Sequence, residues 1–178
     1  MRIVAGKYKR TPLVTLEGEA TRPTRDMVRE ALFSSVDVEG MDVLDLFSGS
    51  GAIGIEALSR GAADAVFNDV NPAAAKIIRT NLEKVREKRT VYELGYDLCL
   101  KRLEGRIFDF IFLDPPYAFQ DFEGLFALLE RYGNVKEGSL VIAEVRKDHV
   151  MPEECGSFKT YKEKKYGITR LVYYRYHK

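Results

Sequence analysis

Val43-Leu44-Asp45-Leu46-Phe47-Ser48-Gly49-Ser50-Gly51-Ala52-Ile53-Gly54 reads as an apolar strand running into a glycine-rich turn and then a helix. Glycines at 49, 51 and 54 permit positive φ and let a ligand approach the backbone closely, while the helix start offers unpaired N–H groups. The spacing satisfies G-x-G-x-x-G, a pattern shared by dinucleotide enzymes and S-adenosylmethionine enzymes. A second strand, Ala65-Val66-Phe67-Asn68-Asp69, ends in an acid placed to accept hydrogen bonds from ribose hydroxyls, which both cofactors contain.

Around this unit, strand and helix take turns. Strands are expected at 42–47, 64–69, 90–94, 107–113 and 139–146, with helices near 52–60, 72–86, 97–103 and 121–132. Asn71-Pro72 supplies a cap and a first-turn proline for the helix that follows. Thr24 is expected to cap an earlier helix carrying Val28, Ala31, Leu32 and Val36 at helical spacing. Residues 157–165 and 168–176 read as two strands across Tyr166-Gly167, rich in aromatic and β-branched residues. The pattern is an α/β fold: a Rossmann-like, seven-stranded, mostly parallel sheet with a carboxy-terminal antiparallel hairpin and a short amino-terminal β-hairpin extension. A chain of 178 residues, 46% hydrophobic, is one domain's length, with residues 1–20 as the extension and 21–178 as the core.

Residues 107–117, Ile-Phe-Asp-Phe-Ile-Phe-Leu-Asp-Pro-Pro-Tyr, form a second apolar run that ends in Asp114-Pro115-Pro116-Tyr117. An acid, two prolines and an aromatic ring make a rigid ledge of acceptor oxygens beside a flat surface, suited to gripping the amino group of a nucleobase. The plain alternative is a proline turn after a buried strand. Asp45 separates the two cofactor classes, because a carboxylate close to the glycine turn repels pyrophosphate and suits the ammonium and sulfonium of S-adenosylmethionine. A strand-end acid capping the turn is the structural alternative for Asp45. Both the turn and the ledge fall at carboxyl ends of parallel strands, where open α/β sheets bind ligands.

Charge is uneven along the chain. Residues 1–35 hold seven Lys/Arg against four Asp/Glu, residues 159–178 hold seven against one, and the whole chain is +1, so the middle is strongly acidic. Basic ends could form a phosphate footprint if both fold onto one face, with Arg2, Lys7, Lys9 and Arg10 as the amino-terminal candidates. Solvated lysines on an exposed hairpin are the alternative for Lys159, Lys162, Lys164 and Lys165. Cys99 and Cys155 form no C-x-x-C pair, and His149 and His177 have no evident partner, so no metal site is expected. Apolar runs are strand-sized and the amino terminus opens no signal segment, which predicts a cytoplasmic protein without membrane contact.

These motifs resemble the Rossmann-type S-adenosylmethionine-dependent methyltransferases and, within them, the RsmD family of small-subunit ribosomal RNA guanine 2-amino methyltransferases. The resemblance covers nearly the whole chain. It rests on Arg2-Ile3-Val4-Ala5-Gly6, Thr21 to Phe33, the loop Asp45 to Gly54, Asp114 to Tyr117, and Tyr166-Gly167-Ile168-Thr169. Asn68-Asp69-Val70-Asn71 departs from the usual hydrophobic strand ending in an acid, and the adenine-contact region is loosely patterned. The resemblance implies that Asp45, Phe47, Ser48, Gly49, Gly51 and Asp69 bind S-adenosylmethionine and that Asp97 contacts its adenine amino group, although Asp97 could equally cap the next helix. It implies Asp114, Pro115 and Tyr117 as catalytic residues, and Arg22 and Arg25 as parts of a lid over cofactor and RNA. The implied substrate is 16S ribosomal RNA within a 30S particle or assembly intermediate; the sequence leaves the oligomeric state open, with a monomer favoured. An adenine-N6 methyltransferase of DNA or RNA would use the same ledge, and a non-catalytic RNA-binding module is the third reading.

Overall fold

The computed structural model describes residues 1–17 and 23–178, with side chains in the second span from Arg25 onward. Arg22 and the cap expected of Thr24 lie outside the described residues. The elements are α1 (Pro23–Ser35), β1 (Asp42–Asp45), α2 (Ala52–Ser59), β2 (Asp64–Asn68), α3 (Pro72–Lys84), β3 (Val91–Tyr92), α4 (Tyr96–Arg102), β4 (Phe110–Leu113), α5 (Phe122–Arg131), β5 (Leu140–Arg146), β6 (Glu154–Cys155), β7 (Phe158–Tyr166) and β8 (Thr169–Tyr176). They build one sheet in the order β3-β2-β1-β4-β5-β8-β7-β6. The first five strands in that order run parallel, and β8, β7 and β6 continue antiparallel.

Strict alternation along the central strands makes two cores. Val43, Phe110, Phe112, Ile142 and Tyr173 face α1, α2 and α3, whereas Leu44, Ile111, Leu113, Val141 and Tyr174 face α4 and α5. All are buried, and each such large apolar side chain contributes on the order of 2 kcal/mol of burial. Helices start where the sequence places their signals: Pro72 opens α3, and the Asn71 side chain accepts from Ala73 N at 3.0 Å. The chain goes from β1 outward through β2 and β3, then returns so that β4 pairs with the other side of β1. That reversal opens a cleft above the carboxyl ends of β1 and β4.

Two expectations change. The third strand shrinks to two residues because Leu94 turns away, its N–H donating to Asn68 Oδ1 at 3.1 Å. An eighth strand, the two-residue β6, adds an edge beyond β7. The amino-terminal hairpin is present but short: Ile3 N donates to Thr11 O (3.0 Å), Arg10 N to Ile3 O (2.9 Å) and Leu13 N to Met1 O (2.8 Å) around the Arg2–Pro12 bridge, and other backbone groups of the strap bond to α2. Fully buried Glu56 on α2 accepts from Val4 N (2.8 Å) and Ala5 N (3.1 Å) and pairs with Arg60 (2.9 Å) and buried Arg29 (3.4 Å). Gly6 sits at φ +86 where a Cβ would lie 2.0 Å from Ser59 O, so only glycine lets the strap lie this close to α2. Asn81 on α3 fastens the other arm, exchanging hydrogen bonds with Val14 and donating to Ser50 O at 2.9 Å.

Candidate active site

The glycine loop after β1 is held from beneath. Ser48 N donates to Asn68 O (2.8 Å), Gly51 N donates to Ser48 O (2.8 Å), and Gly51 caps α2 in the left-handed region at φ 82. A Cβ on Gly54 would meet Phe67 Cε1 at 2.3 Å, so the third glycine of the pattern serves close packing of α2 on β2. Asn68, buried at the end of β2, donates to Leu46 O (3.2 Å) and Leu94 O (2.9 Å) and so ties together the loops that follow β1, β2 and β3.

A cavity of about 620 Å³ opens over these loops, a size suited to a small-molecule or nucleotide ligand. It is lined by Asp45, Phe47, Ser48, Gly49, Asp69, Asp114, Pro115, Tyr117 and Arg25, nine of the residues singled out in the sequence. Asp45 is buried, with Oδ2 accepting from Gly54 N at 3.1 Å, so it also fills the turn-capping role. Burial pushes its carboxyl up to about 7 and the nearby charge of Asp69 adds to this, against the opposing bond from Gly54. Asp69 accepts from Gly49 N and Asn71 N, both at 2.9 Å, and reaches the cavity from the end of β2.

Asp114 follows β4 and stands beside Glu144 on β5, the residue after Ala143, which is in register with Leu113. Their carboxyls are neighbours on the cavity lining, placed so that a proton on Asp114 can be donated to Glu144. Burial and the neighbouring Glu144 raise Asp114 well above the carboxylate range, and the Arg25 charge from α1 works against that rise. Burial raises Glu144 also, again opposed by Arg25. Tyr117 is half exposed, with the Arg146 guanidinium 5.6 Å from its ring centroid. Phe47, Tyr96 and Phe119 meet edge to face or tilted at 5.3–5.9 Å, forming an apolar wall from two loops and the first residue of α4.

Several singled-out residues lie elsewhere. Gly51 sits below the loop and does not line the cavity. Asp97 lies exposed in the first turn of α4, outside the lining; the cap is Gly95, so Asp97 is not the helix cap either. Arg2, Lys7, Lys9 and Arg10 are all exposed and none lines the cavity. Lys7 N donates to Ser59 O at the far end of α2, about 10 Å down that helix from the glycine loop, so the tip of the strap points away from the cleft. His177 does have a partner, Glu137 at 2.8 Å. Among the described residues there is no cluster of potential metal ligands and no helix long and apolar enough to cross a membrane. Sequence reading missed Glu144, Phe119, Tyr96 and Asn68. A signal existed for Glu144, the single acid inside an apolar strand, and for Phe119, two residues beyond the ledge.

The family model described as conserved hypothetical protein 95 matches residues 1–175. YlbH of Bacillus subtilis is 34% identical over 98% of both chains. Ribosomal RNA small subunit methyltransferase D of Haemophilus influenzae is 32% identical over 98% of this chain and 93% of its own. The solved structure of yhhF from Escherichia coli superposes with a TM-score of 0.87 at 28% identity, covering 99% of this chain and 98% of that one. With its sheet order, its glycine loop and its ledge over one cleft, the chain belongs to the conserved hypothetical protein 95 family, the RsmD family.

Proposed function

We propose that this protein transfers a methyl group from S-adenosylmethionine to the exocyclic 2-amino group of a guanine in small-subunit ribosomal RNA. The observation that carries the reading is that the glycine loop and the Asp-Pro-Pro-Tyr ledge share one cavity, with Asp45, Asp69 and Asp114 all on its lining. An acid-lined cavity fits a cationic cofactor and opposes a pyrophosphate. Asp45, Phe47, Ser48, Gly49 and Asp69 are the residues that hold S-adenosylmethionine. When bound, it supplies a methyl group activated by a positively charged sulfur.

The protein's own task is alignment. The lone pair of a guanine 2-amino group is delocalised into the ring, so the amine must be gripped by its hydrogens and held in line for attack. Asp114 and the Pro115 carbonyl accept those two hydrogens, draw the nitrogen toward tetrahedral geometry and stabilise the charge that develops there. Tyr117 stacks on the base. Two prolines keep the acceptors from following the substrate, so the geometry is set before binding. The base reaches the ledge unstacked, from a loop or flipped out of a helix. The preferred substrate is the RNA within a small-subunit particle, in the cytoplasm, met by a single copy of the protein.

Labelled S-adenosylmethionine incubated with small ribosomal subunits from cells lacking this protein, beside free RNA and DNA, tests the reading after digestion to nucleosides. Label in 2-methylguanosine is expected. Label in 6-methyladenosine, whose amine the same ledge could grip, overturns the choice of base.

Arg25 is exposed on α1 at the cavity rim and its charge reaches Asp114 and Glu144. Arg25→Ala is expected to weaken RNA binding several-fold with little change in cofactor affinity, and to reduce the salt slope of RNA binding by roughly one phosphate contact. Fluorescence anisotropy across a salt series measures this, and an unchanged slope removes Arg25 from the RNA surface.

A further inference from the structure

Glu144 has no part in the scheme so far, yet it occupies an unusual place. It lines the 620 Å³ cavity and also a second cavity of about 270 Å³ behind the ledge, which Pro115, Tyr117, Gln120, Arg146, Asp148 and His149 help to line. The register of Leu113 with Ala143 sets its carboxyl beside that of Asp114 on the same lining, and two carboxyls that meet in this way share a proton. Asp114 thus stands between the substrate cavity and Glu144, and Glu144 stands between Asp114 and the second cavity. Gln120, Arg146 and Asp148 on the second lining are exposed, so that side communicates with solvent.

We infer that Glu144 is a positioning residue that acts through Asp114 to receive the proton released by the substrate amine and pass it out behind the ledge. The inference rests on the methyl-transfer reading. In the resting pair the shared proton lies on Asp114, whose O–H donates to ionised Glu144 while its carbonyl oxygen faces the amine. As the new N–C bond forms and the methyl–sulfur bond breaks with its electron pair kept by sulfur, the amine gives one proton to the Asp114 carbonyl oxygen. The O–H proton of Asp114 moves to Glu144 in the same passage. The amine has then lost one proton, Glu144 has gained one and Asp114 is unchanged; Glu144 releases its proton to water in the second cavity.

The groups facing this pair are consistent with such a relay. Arg25 from α1 favours one negative charge on the pair, Asp45 from β1 disfavours a second, and the lining receives uncharged Ile168 from the turn before β8 and Thr169 from β8 itself. On the solvent side Arg146 is engaged by Asp148 at 3.3 Å, and His149 packs its ring on Phe122 at 5.6 Å.

Glu144→Gln keeps a neutral partner for Asp114 and removes the proton acceptor. Single-turnover methyl transfer by this variant is expected to fall by about 10²-fold, with KM for S-adenosylmethionine within about twofold of wild type. The acid limb of the rate profile should also be lost, because in wild type it reports protonation of ionised Glu144, which glutamine cannot undergo. An unchanged rate overturns the inference, and so does a lower rate with the acid limb retained, which is what a merely structural role would give. A substrate-free measurement separates this from failure of the methyltransferase reading. In a wild-type minus Asp114→Asn infrared difference spectrum at neutral pH, in which the half-protonated Asp45 carboxyl cancels, a protonated-carboxyl band is expected; a flat carboxyl region overturns the shared proton whether or not any substrate is methylated.

Discussion

Asp45→Asn is expected to raise the melting temperature of the free protein by roughly 8 °C at pH 8, and the same variant should lose S-adenosylmethionine binding by about 10³-fold. Asp45 is 1% exposed, and its carboxylate accepts a single backbone N–H, from Gly54. Its carboxyl titrates at about 7 against an ordinary 3.8, chiefly because burial disfavours the charge. The folded protein therefore holds a proton that the unfolded chain has released between about pH 4 and pH 7. Stability falls as pH rises through that window and stays low above it, a cost of about 4 kcal/mol at pH 8. Asparagine keeps an acceptor for Gly54 N and carries no charge, so the gain should be large at pH 8 and vanish near pH 4, where Asp45 is already neutral. Thermal melts of both proteins across that range measure it. In the native protein a cationic ligand draws Asp45 back into its charged form, so cofactor affinity should climb with pH up to about 7 and then level. Calorimetric affinities that are flat with pH would detach Asp45 from the cofactor.

Asp114→Ala should lower methyl transfer by about 10³-fold or more while leaving S-adenosylmethionine affinity nearly intact. Alanine removes the acceptor that localises the amine lone pair, and it leaves Glu144 facing a void with its partner gone. Asp114→Asn tests how the loss divides. The amide oxygen still accepts an amine hydrogen and the amide N–H still donates to Glu144, but an amide passes protons poorly. Its rate is therefore expected between those of Asp114→Ala and wild type. Single-turnover rates on saturating small subunits distinguish the three proteins, and equal losses for Ala and Asn would assign the whole effect to proton movement.

The alternation of strand and helix, the glycine loop and the ledge were legible because each is a local property: apolar period, turn chemistry and fixed residue spacing. What could not be read was set by strand register and by loops brought together from distant positions. Glu144 sits in an apolar run, and only the pairing of Leu113 with Ala143 places its carboxyl beside Asp114. Phe47, Tyr96 and Phe119 follow three different strands and become one wall only when the sheet closes. The basic residues show the converse. Lys7, Lys9 and Arg10 are close in sequence to residues that do reach the cleft, such as Met1 and Leu16, yet Glu56 and Ser59 draw the tip of their strap toward the other end of α2.

The position of β8 governs when this fold can be completed during synthesis. β8 is the latest strand in sequence, but it lies inside the sheet, with β5 on one side and β7 on the other. Until residues 169–176 have emerged from the ribosome, β7 and β6 have no bridge to the parallel strands, and the edge of β5 stays open to other chains. The parallel half, already carrying the glycine loop and the ledge, must wait for residues 168–176 before Ile168 and Thr169 close the cavity wall. Nascent chains stalled short of β8 should therefore be substrates for chaperones rather than slow enzymes.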